Sequence, residues 1–118
     1  MVNRFDQSQM YEATLHACVL AVQEGFPHLA VCEILDPPHD WFDAALARQV
    51  VMHLMVREFE WPKRRVVECE NRSREAINRA LRTIDERLLT PRFDTHYRSM
   101  ARQARAVLSL RLSDNEAA

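Results

Sequence analysis

Residues 62–84 read Pro62-Lys63-Arg64-Arg65-Val66-Val67-Glu68-Cys69-Glu70-Asn71-Arg72-Ser73-Arg74-Glu75-Ala76-Ile77-Asn78-Arg79-Ala80-Leu81-Arg82-Thr83-Ile84. Proline suits the first turn of a helix, where its missing N–H is not needed. A short helix is therefore predicted from Pro62 to about Cys69, with Val66, Val67 and Cys69 as its apolar residues. Glu70-Asn71-Arg72 follows as a three-residue turn, because Asn71 tolerates the left-handed conformation. Ser73 is an N-cap type, and the helix it opens is expected to reach about Leu89. Ala76, Ile77, Ala80, Leu81, Ile84 and Leu88 recur at helical spacing and predict its buried face. Arg74, Asn78 and Arg82 at steps of four are read as its outer face, with Glu75 and Arg79 beside them.

A short helix, a tight turn and a longer capped helix match a helix-turn-helix. In that motif the start of the second helix reaches base edges. Arg74 and Arg82 suit guanine and Asn78 suits adenine. Lys63, Arg64 and Arg65 open the first helix, whose place in the motif is across the phosphate backbone. Two ordinary packed helices with a solvated outer face give the same pattern, so both readings stand at this point.

Working outward, Trp61 is placed as a hydrophobic staple before the short helix. Upstream, a long helix is predicted from a cap at Asp40 to about Glu58. Its buried stripe is expected to hold Phe42, Leu46, Val50 and Leu54, extended by Met55 and Phe59. Asp36-Pro37-Pro38-His39 breaks the chain before it. Residues 28–35 are ambiguous between helical turns and an extended piece; a lone strand would lack a partner, which favours a short helix. The first helix is predicted from Ser8, as N-cap, to about Glu24. Gly25 is expected at the position just past its end, with Pro27 blocking continuation. Downstream, Thr90-Pro91 starts a last helix to about Leu112, leaving residues 113–118 as a frayed tail. The expectation is one all-α domain of about five helices spanning 1–118, with its core at about 8–112.

Composition agrees. A single glycine among 118 residues excludes a glycine-rich phosphate loop and a GxGxxG turn. No apolar run is long enough for a membrane span. The first residues, Met1-Val2-Asn3-Arg4-Phe5-Asp6, do not read as a signal peptide. The three cysteines (Cys18, Cys32, Cys69) form no CxxC and read as reduced thiols in a cytoplasmic protein, with Cys18 in the core.

The net charge of −1 conceals an asymmetry. Residues 1–56 carry a net −5, whereas residues 57–118 carry a net +4 with thirteen arginines and one lysine. Arginine favours bidentate phosphate and guanine contacts, although a surface laced with ion pairs would read alike.

Ala47-Arg48-Gln49-Val50-Val51-Met52-His53-Leu54 resembles the Ala-Arg-Gln-Ile-Ala-Met-Tyr-Leu helix in the C-terminal DNA-binding domain of the bacterial replication initiator DnaA. Further on, Arg72 to Ile84 is similar to that family's Arg-Asp-His-Thr-Thr-Val-Leu-His-Ala-Cys-Arg-Lys-Ile, with Arg72, Ala80, Arg82 and Ile84 identical. The resemblance stretches over roughly residues 9–110. It implies a Trp-repressor-like all-α fold with a helix-turn-helix, and Arg72 and Arg82 as backbone or base contacts. Arg48 and Gln49 fall on the signature in a supporting role.

The departures are as informative. The family's box-reading Asp-His-Thr-Thr is Ser73-Arg74-Glu75-Ala76 here. Its arginine-rich minor-groove loop is the acidic Asp36-Pro37-Pro38-His39-Asp40-Trp41-Phe42-Asp43, whose carboxylates would repel phosphates. The implication is a stand-alone domain without the initiator's ATPase module or its usual box.

No HExxH or finger-spaced Cys/His pair occurs among the five histidines. His39 with Asp36 and Asp40 reads as a solvated loop rather than an ion site, and His16 as half-buried. Cys32 and Cys69 lack a base, so no catalytic residue, metal or cofactor is expected. Met52, Met55 and Trp41 are assigned to the core.

Two functions follow from the sequence. The first is a non-enzymatic regulatory or accessory factor, phage-derived in one version, that binds double-stranded DNA through Lys63, Arg64, Arg65, Arg72, Ser73, Arg74, Asn78, Arg79 and Arg82. The second is a protein-interaction module that keeps the fold without the DNA site.

Overall fold

The computed structural model describes residues 6–117. Met1–Phe5, read above for a leader, and Ala118 lie outside them. Among the described residues there are six helices and no strand: α1 (Gln7–Gly25), α2 (Val31–Leu35), α3 (Phe42–His53), α4 (Lys63–Glu70), α5 (Arg74–Arg87) and α6 (Pro91–Ala117). None of them is long and apolar enough to cross a membrane.

Helix α1 begins two residues earlier than the sequence predicts. Asp6, not Ser8, is its N-cap: the carboxylate Oδ1 accepts from Ser8 N at 2.9 Å and Gln9 N at 3.2 Å. A carboxylate there also meets the positive end of the helix dipole, which a serine hydroxyl does not. Gly25 is the last helical residue and has no positive φ. Its small size serves packing instead. A Cβ on Gly25 would lie 2.5 Å from Met100 Sδ on α6, so any side chain there would displace Met100. His96 Nε2 donates to the freed Gly25 carbonyl at 3.0 Å. Arg111 lies beside His16 at 3.0 Å, so α1 and α6 run antiparallel along their length. His16 is exposed there rather than half-buried.

The ambiguous 28–35 segment is helical over Val31–Leu35. Helix α3 starts after Asp40, which takes a left-handed φ of 69° and cannot cap it; Trp41 occupies the N-cap. Phe42 is consequently 64% exposed, against the buried position expected of it. Leu46 and Val50 of the expected stripe are buried, as is Leu54 just beyond α3, and Ala44, Ala47 and Val51 join them in place of Phe42. The final turn, Leu54–Glu58, widens to a π-helix. It places Glu58 against Arg98 and Arg105 of α6, each at 3.2 Å.

Pro62 is the N-cap of α4 rather than its first helical residue, because its ψ of 140° is extended. Val66 is buried, but Cys69 is exposed and adds nothing to the core. Trp61 packs edge-to-face on Tyr11 of α1, with ring centroids 5.2 Å apart. Helix α5 lays Ile77, Ala80, Leu81 and Ile84 on α3, while Leu88 is half-buried and Leu89 is exposed. Helix α6 continues past Leu112 to Ala117 and takes in most of the tail expected to fray. No proline or glycine interrupts it there.

Candidate nucleic-acid interface

The segment joining α4 to α5 follows the sequence expectation closely. Asn71 closes α4 in the left-handed region at φ 52°. Ser73 caps α5, its Oγ accepting from Ala76 N at 3.0 Å. Arg72, Ser73 and Arg74 stand exposed at this corner, and Arg64 is exposed on α4. No carboxylate lies within 4.0 Å of any of these three guanidinium groups among the described residues. Lys63 and Arg65 are half-buried, and Arg65 hydrogen-bonds the Cys69 side chain. Partial desolvation, with Glu70 and Glu68 nearby, leaves the exposed Cys69 thiol raised against the lowering by Arg65.

Along α5 the picture departs from the predicted row of Arg74, Asn78 and Arg82. Steps of four advance slightly more than a full turn, so the row winds around the helix. Asn78 is half-buried, with Oδ1 enclosed and without a hydrogen-bond partner. The exposed face carries Glu75, Arg79, Arg82 and Glu86. Glu75 Oε1 lies 3.4 Å from Arg82 and 3.9 Å from Arg79, so the two outward arginines are partly neutralised. Such exposed pairs contribute about 0–1 kcal/mol and yield readily to a stronger anion.

Arg48 has a different place. It is 8% exposed, and its Nη2 donates to Glu70 Oε1 at 2.7 Å, tying α3 to α4. Tyr11 OH donates to the other oxygen of Glu70 at 2.7 Å, which adds α1. Burial, then the hydrogen bond to Glu70, raises the Tyr11 hydroxyl, so it stays protonated. Arg48 thus joins α3 to α4.

The sequence reading did not single out His53 as part of a network. His53 is 3% exposed. Its Nε2 lies 2.7 Å from Asp85 Oδ1 and its Nδ1 2.6 Å from Tyr97 OH. The carboxylate can only accept, so Nε2 carries the proton and Nδ1 accepts from Tyr97. Arg57 Nη2 completes the chain at 3.3 Å from Asp85 Oδ2. Burial lowers the His53 imidazole below its ordinary value, despite Asp85. Partial burial pushes Asp85 up, but the bonds from His53 and Arg57 outweigh it and hold the carboxyl low. A histidine inside the apolar run Val50–Met55 was the available signal.

Comparison with family models, curated proteins and solved structures finds no match to this chain. The likeness to the initiator domain rests on the two sequence blocks quoted above. No three His, Cys, Asp or Glu side chains gather as a metal would need, among the described residues.

The loop 36–41 stands opposite α5 across a cleft of about 540 Å³. Asp36 and Asp40 line one side and Arg72 and Arg79 the other, with Met52, Ile77 and Ala80 between them. The acidic loop therefore faces the basic corner without an ion pair to it among the described residues.

Proposed function

We propose that this chain is a non-enzymatic, cytoplasmic DNA-binding factor that uses α4, the Asn71–Ser73 turn and α5 as a helix-turn-helix of the initiator type. One observation carries the reading: Arg72 and Arg74 flank the Ser73 cap of α5 and Arg64 stands exposed in the first turn of α4, all three with no carboxylate partner among the described residues. Phosphates draw such guanidinium groups by charge and by paired hydrogen bonds. Arg79 and Arg82 join once a phosphate displaces Glu75, since their exposed pairs are weak. Asn78 drops out as a base reader on the exposed face, because it is half-buried.

The test is anisotropy of a labelled mixed-sequence duplex over a range of salt. Binding should weaken steeply as salt rises. Four to five phosphate contacts give a log–log slope of roughly −4 to −5. Absence of binding at low salt and at tens of micromolar protein would defeat the reading. The pairing of Glu75 with both outward arginines favours a second reading, a protein-interaction module on the same fold.

A further inference from the structure

The cleft between the 36–41 loop and α5 is held open by small side chains. Ala45 on α3 and Ala76 and Ala80 on α5 line it where larger residues would fill it. Pro37 and Pro38 stiffen the loop on its far side. The space, about 540 Å³, falls within the range of ligand-binding clefts. Its floor is apolar, through Met52 and Ile77. Trp41 is half-buried at its wall, and Phe42, also lining it, is 64% exposed. Exposed aromatics beside an apolar depression are characteristic of protein interfaces.

The charges narrow the occupant. Asp36 and Asp40 on the loop repel an unbroken run of phosphates, whereas Arg72 and Arg79 opposite repel a uniformly basic segment. A chain with opposite charges either side of an apolar residue satisfies both.

We propose that the cleft seats an apolar side chain from a short segment of a partner protein, with a basic residue of that segment against Asp36 and Asp40 and an acidic one against Arg72 and Arg79. It deepens the protein-interaction reading and does not depend on duplex binding.

The test is selection from a random ten-residue peptide display library on the full chain. Recovered peptides should carry an apolar residue between a basic and an acidic one. Ala45→Trp, which fills the cleft from α3, should weaken a recovered peptide by roughly tenfold or more, with circular dichroism confirming that the variant is folded. Asp36→Asn/Asp40→Asn changes only exposed loop residues, and asparagine tolerates the left-handed φ of position 40. It should abolish the preference for the basic residue and keep the apolar one. Recovery of no peptides, recovery of uniformly acidic peptides, or equal binding to wild type and both variants would overturn the proposal. A duplex that binds in the salt titration while no peptide is recovered would leave the DNA reading standing and remove this one.

Discussion

Arg48 and Glu70 form a nearly solvent-free ion pair, Nη2 to Oε1 at 2.7 Å, with side chains 10% and 6% exposed. The pair ties the middle of α3 to the last residue of α4, so it fixes how the short helix lies on the body. It also engages the one arginine of the Ala47-Arg48-Gln49 block. That guanidinium is withdrawn from solvent and already bound, so the proposed phosphate contacts rest on Arg64, Arg72 and Arg74 instead.

Removing one partner should be costly. Arg48→Met leaves the Glu70 carboxylate buried with only the Tyr11 hydroxyl, and should destabilise by about 3–5 kcal/mol. Replacing the whole group, as Arg48→Met/Glu70→Leu/Tyr11→Phe, removes every buried polar atom at once and should recover much of that loss. Urea unfolding of the single and triple variants measures both. A single variant as stable as wild type would show that the pair contributes nothing.

The His53 network predicts a pH dependence with a definite sign. Burial lowers the folded-state imidazole, so the unfolded chain binds the proton first as pH falls. Stability should therefore be full above about pH 6.5 and decline below it, by at most about 1.4 kcal/mol per pH unit for one proton. The lowered Asp85 carboxyl acts in the same direction at more acid pH: its stabilisation is present above the ordinary carboxylate value and lost as pH falls through the folded one. His53→Gln should lower stability at pH 7.5 by about 1–3 kcal/mol through the unpaired Tyr97 hydroxyl. It should also flatten the slope between pH 7.5 and 5. Urea unfolding at both pH values, with wild type and variant compared, gives the answer; equal slopes would exclude His53 as the titrating group.

Much of the chain was legible because its signals are local. Asn71 and Ser73 fix the α4–α5 turn through their own backbone and hydroxyl. Pro91 and the apolar spacing of α5 mark their helices in the same way. What escaped depends on distant partners. Gly25 looks like a helix terminator until Met100, seventy-five residues on, occupies the space beside it. Phe42 fits an apolar stripe until the left-handed Asp40 puts the helix start at Trp41, which leaves Phe42 exposed at the first helical position while Leu46, Val50 and Leu54 stay buried. The pairings of Arg48 and His53 could not be read locally, because their partners, Glu70, Asp85 and Tyr97, lie on other helices. In the candidate site, the arginines at the corner were legible from residue type. The inward turn of Asn78 depended on how α5 rolls against α3.

If duplex DNA binds, the exposure of α5 assigns different effects to its residues. Arg74 is exposed beside the Ser73 cap, where a recognition helix meets base edges. Arg74→Ala should therefore flatten discrimination between sites by about 1–3 kcal/mol. Arg64 lies on the preceding helix, whose expected contact is the phosphate backbone. Arg64→Ala should weaken all duplexes alike and reduce the salt slope by about one. Asn78→Ala should leave the preferred sequence unchanged, because the side chain is half-buried and its Oδ1 is enclosed. Glu75→Gln should act oppositely to the arginine variants. It removes the carboxylate shared by Arg79 and Arg82, so duplex affinity should rise and the salt slope should steepen. Selection from a random duplex pool, run on wild type, Arg74→Ala and Asn78→Ala side by side, separates reader from bystander. Salt titrations of Arg64→Ala and Glu75→Gln complete the set. Identical preferred sequences for wild type and Arg74→Ala, together with an unchanged affinity for Glu75→Gln, would mean that the outer face of α5 does not meet the duplex.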